Sequence, residues 1–249
     1  MATHVTARFA DDRITFVRDF PASQAALARV AGDGARVLVL AGAGRGFCAG
    51  QDLGDRQVVP GGARADLGES IERNYKPLIL TLKSLPMPVI AAVNGVAAGA
   101  GASLALACDI VIAARSASFI QAFCRLGLVP DSGATWFLPR LVGNARALGL
   151  AMLGERLGAA EAAQWGLIWR CVEDAEFPAA VDRLAAELAA APTRGLVRTR
   201  EAILGSWQQS LAGQLDVERD LQRELGYTDD YAEGVAAFAG KRAPRFTGR

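Results

Sequence analysis

The stretch Pro88-Val-Ile-Ala-Ala-Val-Asn-Gly-Val-Ala-Ala-Gly-Ala-Gly-Ala-Ser-Leu-Ala-Leu-Ala-Cys-Asp-Ile-Val-Ile-Ala-Ala114 decides the fold class. Its length and apolarity invite reading it as a membrane span, but Asn94, the interspersed glycines and Asp109 make it a poor one. It divides instead into a buried strand, Val89 to Val93, a turn at Asn94-Gly95, a small-residue helix between Gly99 and Ala107, and a second strand, Asp109 to Ala114. Strand, short helix, strand is an alternation that predicts an α/β core.

Upstream, Arg36-Val-Leu-Val-Leu-Ala41 reads as another buried strand, ended by Gly42-Ala-Gly-Arg-Gly46. Residues 71 to 85 place Ile71, Tyr75, Leu78, Ile79 and Leu82 at helical spacing, with Pro77 as a possible kink and Pro86 as the stop. After about Thr135 the chain turns helical, over Ala145 to Gly154, Ala159 to Trp165, Ala179 to Ala191, Thr193 to Ser206 and a last stretch from Leu211 to Lys241. No internal repeat is visible.

The 51% hydrophobic and 21% charged composition suits a chain that buries a substantial core. Aromatics are few, so Ala, Leu and Val must fill that core. A net charge of +1 supplies no global field toward nucleic acid or membrane. Cys48, Cys108, Cys124 and Cys171 form no CxxC pair, which speaks against a structural zinc site and fits a reducing cytoplasm. Met1-Ala-Thr-His4 lacks a charged head followed by an apolar run, so neither a signal peptide nor a transit sequence is expected.

Two glycine-rich segments each come after a predicted strand: Arg45-Gly-Phe-Cys-Ala-Gly-Gln-Asp-Leu53 and Asn94-Gly-Val-Ala-Ala-Gly-Ala-Gly-Ala-Ser103. Either alone is most simply a turn. A helix starting near Gly101, however, leaves its first NH groups without internal partners, and its dipole adds positive potential there. Such a site suits an oxygen that becomes negative. Gly99-Ala-Gly101 is not a dinucleotide-binding fingerprint, because Leu104 stands where the third glycine belongs.

Gly46-Phe-Cys-Ala-Gly-Gln-Asp-Leu53, Pro88 to Gly101, Cys108-Asp-Ile110 and Leu126-Gly-Leu-Val-Pro-Asp131 together resemble the enoyl-CoA hydratase/isomerase, or crotonase, family. The resemblance implies an α/β spiral of ββα units over residues 1–190 and a helical oligomerisation region over 191–249, forming a homotrimer or a dimer of trimers. It implies an acyl-CoA thioester substrate, with coenzyme A entering as part of that substrate and no separate cofactor or metal. It also implies an oxyanion hole made by the backbone NH groups of Gln51 and Ala100. Fixed NH donors stabilise an enolate without reorganising, and losing one typically costs about 2.7 to 4 kcal/mol.

Family hydratases carry two glutamates where this chain has Ser103 and Phe123, neither of which can activate water. Asp131 stands where isomerases of the family keep an aspartate, and apolar neighbours such as Phe123 favour a proton shuttle there if the carboxyl is buried. Without the resemblance, an Asp before Ser132-Gly133 is a helix N-cap. Longer stretches, including Pro130 to Arg140 and Lys241 to Gly248, resemble the branch of the family that isomerises ring-1,2-epoxyphenylacetyl-CoA to oxepin-CoA. A 3-enoyl to 2-enoyl isomerase, a hydratase or hydrolase of the same fold, and an RNA-binding relative without catalysis are the alternatives.

The coenzyme handle implied by the resemblance involves Ala49, Asp52 and Leu53 beside the first loop, Gly101 and Phe123 lining the acyl site, and Phe238 and Lys241, which can come from a neighbouring subunit. Read on their own, Phe238 is a core residue and Lys241 a solvated charge. Asp52 is more readily a loop-holding residue, Asp109 a structural hydrogen-bond acceptor, and Glu69 and Glu72 a solvated helix face. His4 is terminal. The segment Ile14 to Pro21 lacks the family's usual turn after the first strand, a departure at the adenine end of the site.

Overall fold

The computed structural model describes residues 5–8, 20–32, 34–51 and 66–249. Among the described residues nine strands form two sheets, and their order reflects a simple repeat. The first sheet runs β1 (Val5–Arg8), β2 (Leu38–Ala41), β4 (Val89–Val93), β6 (Ile110–Ala114) and β9 (Arg170–Val172), each pair parallel. The second runs β3 (Gly46–Cys48), β5 (Val96–Ala98), β7 (Ser118–Ile120) and β8 (Arg156–Gly158). The chain alternates between them: β2 then β3, β4 then β5, β6 then β7. Each turn adds one strand to each sheet, which is the expected spiral of ββα units.

The central strands of the first sheet are almost purely apolar because both faces are covered. Leu38, Leu40, Val89, Ala91, Val93 and Ala113 face the main core. Val39, Ile90, Ala92 and Ile112 point the other way and meet Ala180, Ala185 and Ala189. Those alanines lie on helix Phe177–Ala190. Residues i and i+2 sharing one face is the pleat's own period. In chain order the helices are α1 (Phe20–Gly32), α2 (Leu67–Ser70), α3 (Lys76–Ser84), α4 (Ala100–Ala107), α5 (Ala134–Leu153), α6 (Ala159–Gln164), α7 (Phe177–Ala190), α8 (Thr193–Gly205), α9 (Leu211–Leu225) and α10 (Asp229–Ala239).

Several boundaries differ from expectation, each for a physical reason. Pro77 follows directly on a five-residue π-turn, Ile71–Tyr75, which is the form the expected irregularity takes, because proline has no NH to give the carbonyl four residues back. The helix expected over Ala145 to Gly154 is there, but a further helical segment from Ala134 precedes it in α5, the two separated by a break at Gly143, whose φ is +74°. The stretch Leu211 to Lys241 is two helices, because Thr228 adopts an extended conformation and caps α10 by accepting from the Tyr231 NH. No helix among the described residues is long and apolar enough to cross a membrane.

One cluster ties the C-terminal helices to the sheet. Asp109, at the start of β6, accepts from the Val89 NH at 2.9 Å, from Lys83 Nζ at 3.2 Å and from Arg200 Nη1 at 3.0 Å. Arg200 projects from α8, is 7% exposed and also donates to the Met87 and Leu85 carbonyls. The structural role expected of Asp109 is what the fold shows. Farther along, Arg36 donates to the Phe246 carbonyl and Thr193 Oγ1, while buried Asp230 accepts from the Thr247 and Gly248 NH groups, fastening the tail to the core.

Removing one partner of the Asp109 cluster leaves a guanidinium buried without its counter-charge. Asp109→Ala is expected to lower unfolding free energy by about 3–5 kcal/mol. The exposed pair Arg115 and Glu173 is the control, and Glu173→Ala should cost less than about 1 kcal/mol. Urea titrations of both variants check the contrast; equal midpoints would contradict it.

Candidate active site

The site is set by strand pairing before any side chain is considered. β3 pairs with β5, Cys48 opposite Ala97, and β5 pairs with β7, Ala98 opposite Ile120; both pairings are parallel. Three segments therefore leave the sheet from the same end: Ala49–Gln51 after β3, Gly99–Gly101 after β5, and Gln121–Phe123 after β7. The Gly99 NH donates to the Ile120 carbonyl at 2.9 Å, continuing the ladder past the last strand residue. Sites at the carboxyl ends of parallel strands are the rule in open α/β sheets.

The first two loops touch through their glycines. A β-carbon at Gly101 would lie 2.2 Å from the Cys48 carbonyl oxygen and 2.4 Å from Cys48 Cβ, so no side chain fits there. Gly50, at φ +88°, would place a β-carbon 2.9 Å from the Ala98 carbonyl and 3.5 Å from the Ala100 nitrogen. The chain just before Gln51 thus lies against the Ala100 NH. Asn94 stitches the same region, accepting from the Gly42 NH at 3.0 Å and donating to the Gly44 and Gly46 carbonyls.

Ala100 opens α4, a helix whose every residue is buried, and Gly99 is its N-cap with no side-chain cap. The Ala102 and Ser103 NH groups turn back to the Gly99 carbonyl at 3.0 and 3.1 Å. The Ala100 and Gly101 NH groups precede that first bond and have no acceptor inside the helix. Gln51 is half-buried, and its side-chain Oε1 accepts from the Tyr75 hydroxyl at 2.5 Å. The geometry brings the segments of Gln51 and Ala100 together, the first under a side-chain tether and the second at a positive helix end.

Ser103 is fully buried and donates its hydroxyl to the Gly99 carbonyl at 3.3 Å, inside its own helix. Phe123, on the 3-10 turn Ala122–Leu126, is 8% exposed, and its Cζ lies 3.9 Å from where a Gly99 β-carbon would be. The two positions that hold carboxylates in family hydratases are therefore a saturated hydroxyl and an aromatic ring.

Asp131 is half-buried rather than fully buried, and Ser132 Oγ donates to its Oδ1 at 2.9 Å. The N-cap reading of Asp131 is corrected: the cap residue of α5 is Gly133, no side chain caps the helix, and it is the Asp131 backbone carbonyl that accepts from the Ala134 NH at 3.0 Å. The turn is strained, with Ser132 at φ +53° and Gly133 at φ +84°, and buried Ser132 is one of two non-glycine residues at positive φ among those described. Such a conformation costs about 1–3 kcal/mol and persists only where the surroundings impose it.

The remaining candidates are dispersed. Ala49 is exposed beside the first loop. Asp52, Leu53 and His4, and most of the segment Ile14 to Pro21, lie outside the described residues. Glu69 and Glu72 are exposed and pair with Arg73 and Lys76 one turn on, as a solvated helix face does. Phe238 is not a core residue: it is 88% exposed on α10, and Lys241 is exposed just beyond, at φ +48°. Burial pushes the Cys48 thiol up to about 11, a Gly50 backbone hydrogen bond pulling partly back, so Cys48 stays neutral and is no nucleophile. Among the described residues no group of three or more His, Cys, Asp or Glu side chains could hold a metal ion.

Sequence reasoning missed three residues. Tyr75 reads as one apolar position in a helical stripe, Asn94 as a strand terminator and Ser132 as a turn residue. Their polar partners are 24, 52 and 1 residues away, and only the last is a local signal.

The model of the family described as enoyl-CoA hydratase/isomerase matches residues 22–249. The chain is 57% identical over 217 residues, covering 87% of it and 83% of the relative, to the 1,2-epoxyphenylacetyl-CoA isomerase of Escherichia coli. It is 51% identical over 226 residues, 90% of this chain and 86% of the relative, to a probable enoyl-CoA hydratase of Rhodobacter capsulatus. A crystal structure of a putative enoyl-CoA hydratase from Streptomyces coelicolor superposes over 100% of this chain and 92% of its own, with a TM-score of 0.89 and 35% identity. The chain belongs to the enoyl-CoA hydratase/isomerase family and has the crotonase-like α/β fold.

Proposed function

We propose that this enzyme is an isomerase of acyl-CoA thioesters whose substrate is ring-1,2-epoxyphenylacetyl-CoA and whose product is oxepin-CoA. The observation that carries the reading is the state of the two hydratase positions. Ser103 spends its hydroxyl on its own helix and Phe123 is an aromatic ring, so neither can activate water, while Asp131 keeps a carboxylate that no helix end consumes. The 57% identity to an isomerase named for this reaction supports it. The 51% identity to a relative named a probable enoyl-CoA hydratase puts no carboxylate at Ser103 or Phe123 of this chain.

In this reading the Gln51 and Ala100 NH groups hold the thioester oxygen. Asp131 takes the proton from carbon 2, the charge moves onto the oxygen as an enolate, and the proton returns farther along the conjugated system as the ring rearranges. Nothing is added or lost, as an isomerisation requires. The same transfer shifts a double bond from position 3 to position 2 of an enoyl thioester. The Ser132 hydroxyl holds one carboxylate oxygen and so orients the group that carries the proton. Ala49, Asp52 and Leu53 flank the coenzyme. The exposed Phe238 and Lys241 serve the adenosine end of a neighbouring copy in a homotrimer or a dimer of trimers.

Asp131→Asn keeps the shape of the side chain and removes its basicity. Turnover of epoxyphenylacetyl-CoA and of a 3-enoyl-CoA is expected to fall by about 10²–10⁴, with binding of a saturated acyl-CoA changed less than about twofold by calorimetry. Retained turnover, or release of free coenzyme A by the unmodified enzyme, would sink the assignment. Gly101→Ala drives a β-carbon into the Cys48 carbonyl and displaces the first turn of α4. A loss in kcat of at least about 10²–10³ is expected, the scale of one lost oxyanion donor. Steady-state kinetics on a variant that still unfolds cooperatively gives the test.

A further inference from the structure

Between α2 and α3 the chain makes a five-residue π-turn, Ile71–Tyr75, in which the Lys76 NH reaches back five residues to the Ile71 carbonyl. A π-turn inserts one residue into a helix, so the next turns are rotated by about 100° relative to an unbroken helix. Such bulges occur frequently at functional sites. The side chain re-aimed here is that of Tyr75. It is 3% exposed and heads the buried face continued by Leu78, Ile79 and Leu82.

A buried tyrosine needs a partner for its hydroxyl, and the informative point is which partner it has. The acceptor is the side chain of Gln51, in the first glycine loop. Gly50 has no β-carbon and sits at φ +88°, so the chain there is held by what lies on either side of it. Gly50 abuts the Ala98 carbonyl on one side, and the Tyr75 hydroxyl holds Gln51 on the other. Tyr75 belongs to the main hydrophobic core, so its position is fixed by packing rather than by the loop.

We propose that Tyr75 is a positioning residue of the oxyanion site: by holding the Gln51 side chain, its hydroxyl fixes the direction of the Gln51 backbone NH. The inference rests on the reading of Gln51 and Ala100 as oxyanion donors. A donor stabilises the developing charge only if it is already aimed at it, and a backbone NH has no rotamer of its own. Its aim is set by what restrains the flanking chain, and among the described residues the Tyr75 hydrogen bond to the Gln51 side chain is one such restraint.

Tyr75→Phe keeps the ring and removes only the hydroxyl. Two readouts are combined: kcat and KM for isomerisation of a 3-enoyl-CoA, and the infrared band of the ¹³C-labelled thioester carbonyl of bound hexanoyl-CoA, which reports polarisation without turnover. The expected result is a kcat lower by about fivefold to tenfold, KM within about twofold, and a carbonyl band moved back toward its position in free thioester. Gln51→Leu should reproduce this loss, and the double variant should lose no more than either single one. An unchanged kcat and band in folded Tyr75→Phe overturns the proposal. So do additive losses in the double variant, or a fall in kcat that accompanies loss of thermal stability with the band unmoved. A wild-type enzyme that neither isomerises the 3-enoyl-CoA nor shifts the carbonyl band overturns the oxyanion reading itself; a shifted wild-type band that Tyr75→Phe leaves in place overturns the role of Tyr75 alone.

Discussion

Parallel pairing of β3, β5 and β7 sends three chain segments out of one edge of a small sheet, and the rest of the site is a consequence. Parallel neighbours lie about 4.8 Å apart, so the loops leaving them have no room to diverge. The first two resolve the crowding with glycine: Gly50 and Gly101 let backbone meet backbone where any β-carbon would collide. Close approach leaves two peptide groups side by side, and the start of α4 adds the field of a helix end. The third segment carries Phe123 against Gly99 and then runs on to Asp131.

That edge is rigid because the sheet behind it is buried twice. One face of β2, β4 and β6 closes on the main core and the other on α7, so displacing any of these strands disturbs two clusters at once. Small residues make the arrangement possible. α4 is buried on every side because alanine, glycine and serine occupy most of it, letting the helix sit close to the strands that flank it. The Asp109, Lys83 and Arg200 cluster then joins the start of β6 to α8.

The long buried strands were legible, since Val89–Val93 has the expected limits and the strands at Leu38 and Ile110 begin within two residues of them. The second sheet was not. Its strands are three residues each, too short for a period of two to register, and β3 and β5 hide inside segments that read as glycine loops. The π-turn left no mark either, because Ile71, Tyr75, Leu78, Ile79 and Leu82 satisfy an ordinary helical pattern to within one residue. Phe238 misled for a different reason: apolarity predicts burial only against a surface, and α10 turns this ring outward. At the site, Gln51, Ala100 and Asp131 were found through resemblance, whereas the polar partners of Gln51 and Asp131 required the fold.

The two halves of the proposed chemistry are restrained in opposite ways. The NH donors belong to the backbone, so no substitution short of proline removes them, and their placement is spread over glycine contacts, the Asn94 amide and the Tyr75 hydroxyl. Asp131 is a single side chain on a turn that holds two successive residues at positive φ. The strain there is local, but what sustains it is not: Ser132 is buried, and a β-carbon at Gly133 would meet the Phe137 ring at 2.6 Å. The turn therefore depends on the packing of α5, whose Phe137 and Leu138 belong to the same core as Tyr75. Donor and carboxylate reach the chemistry by different routes, yet both are aimed by side chains anchored in one hydrophobic cluster. Packing within one apolar cluster, of which Ala100 is itself a member, is thus what sets the relative placement of the proposed donors and carboxylate.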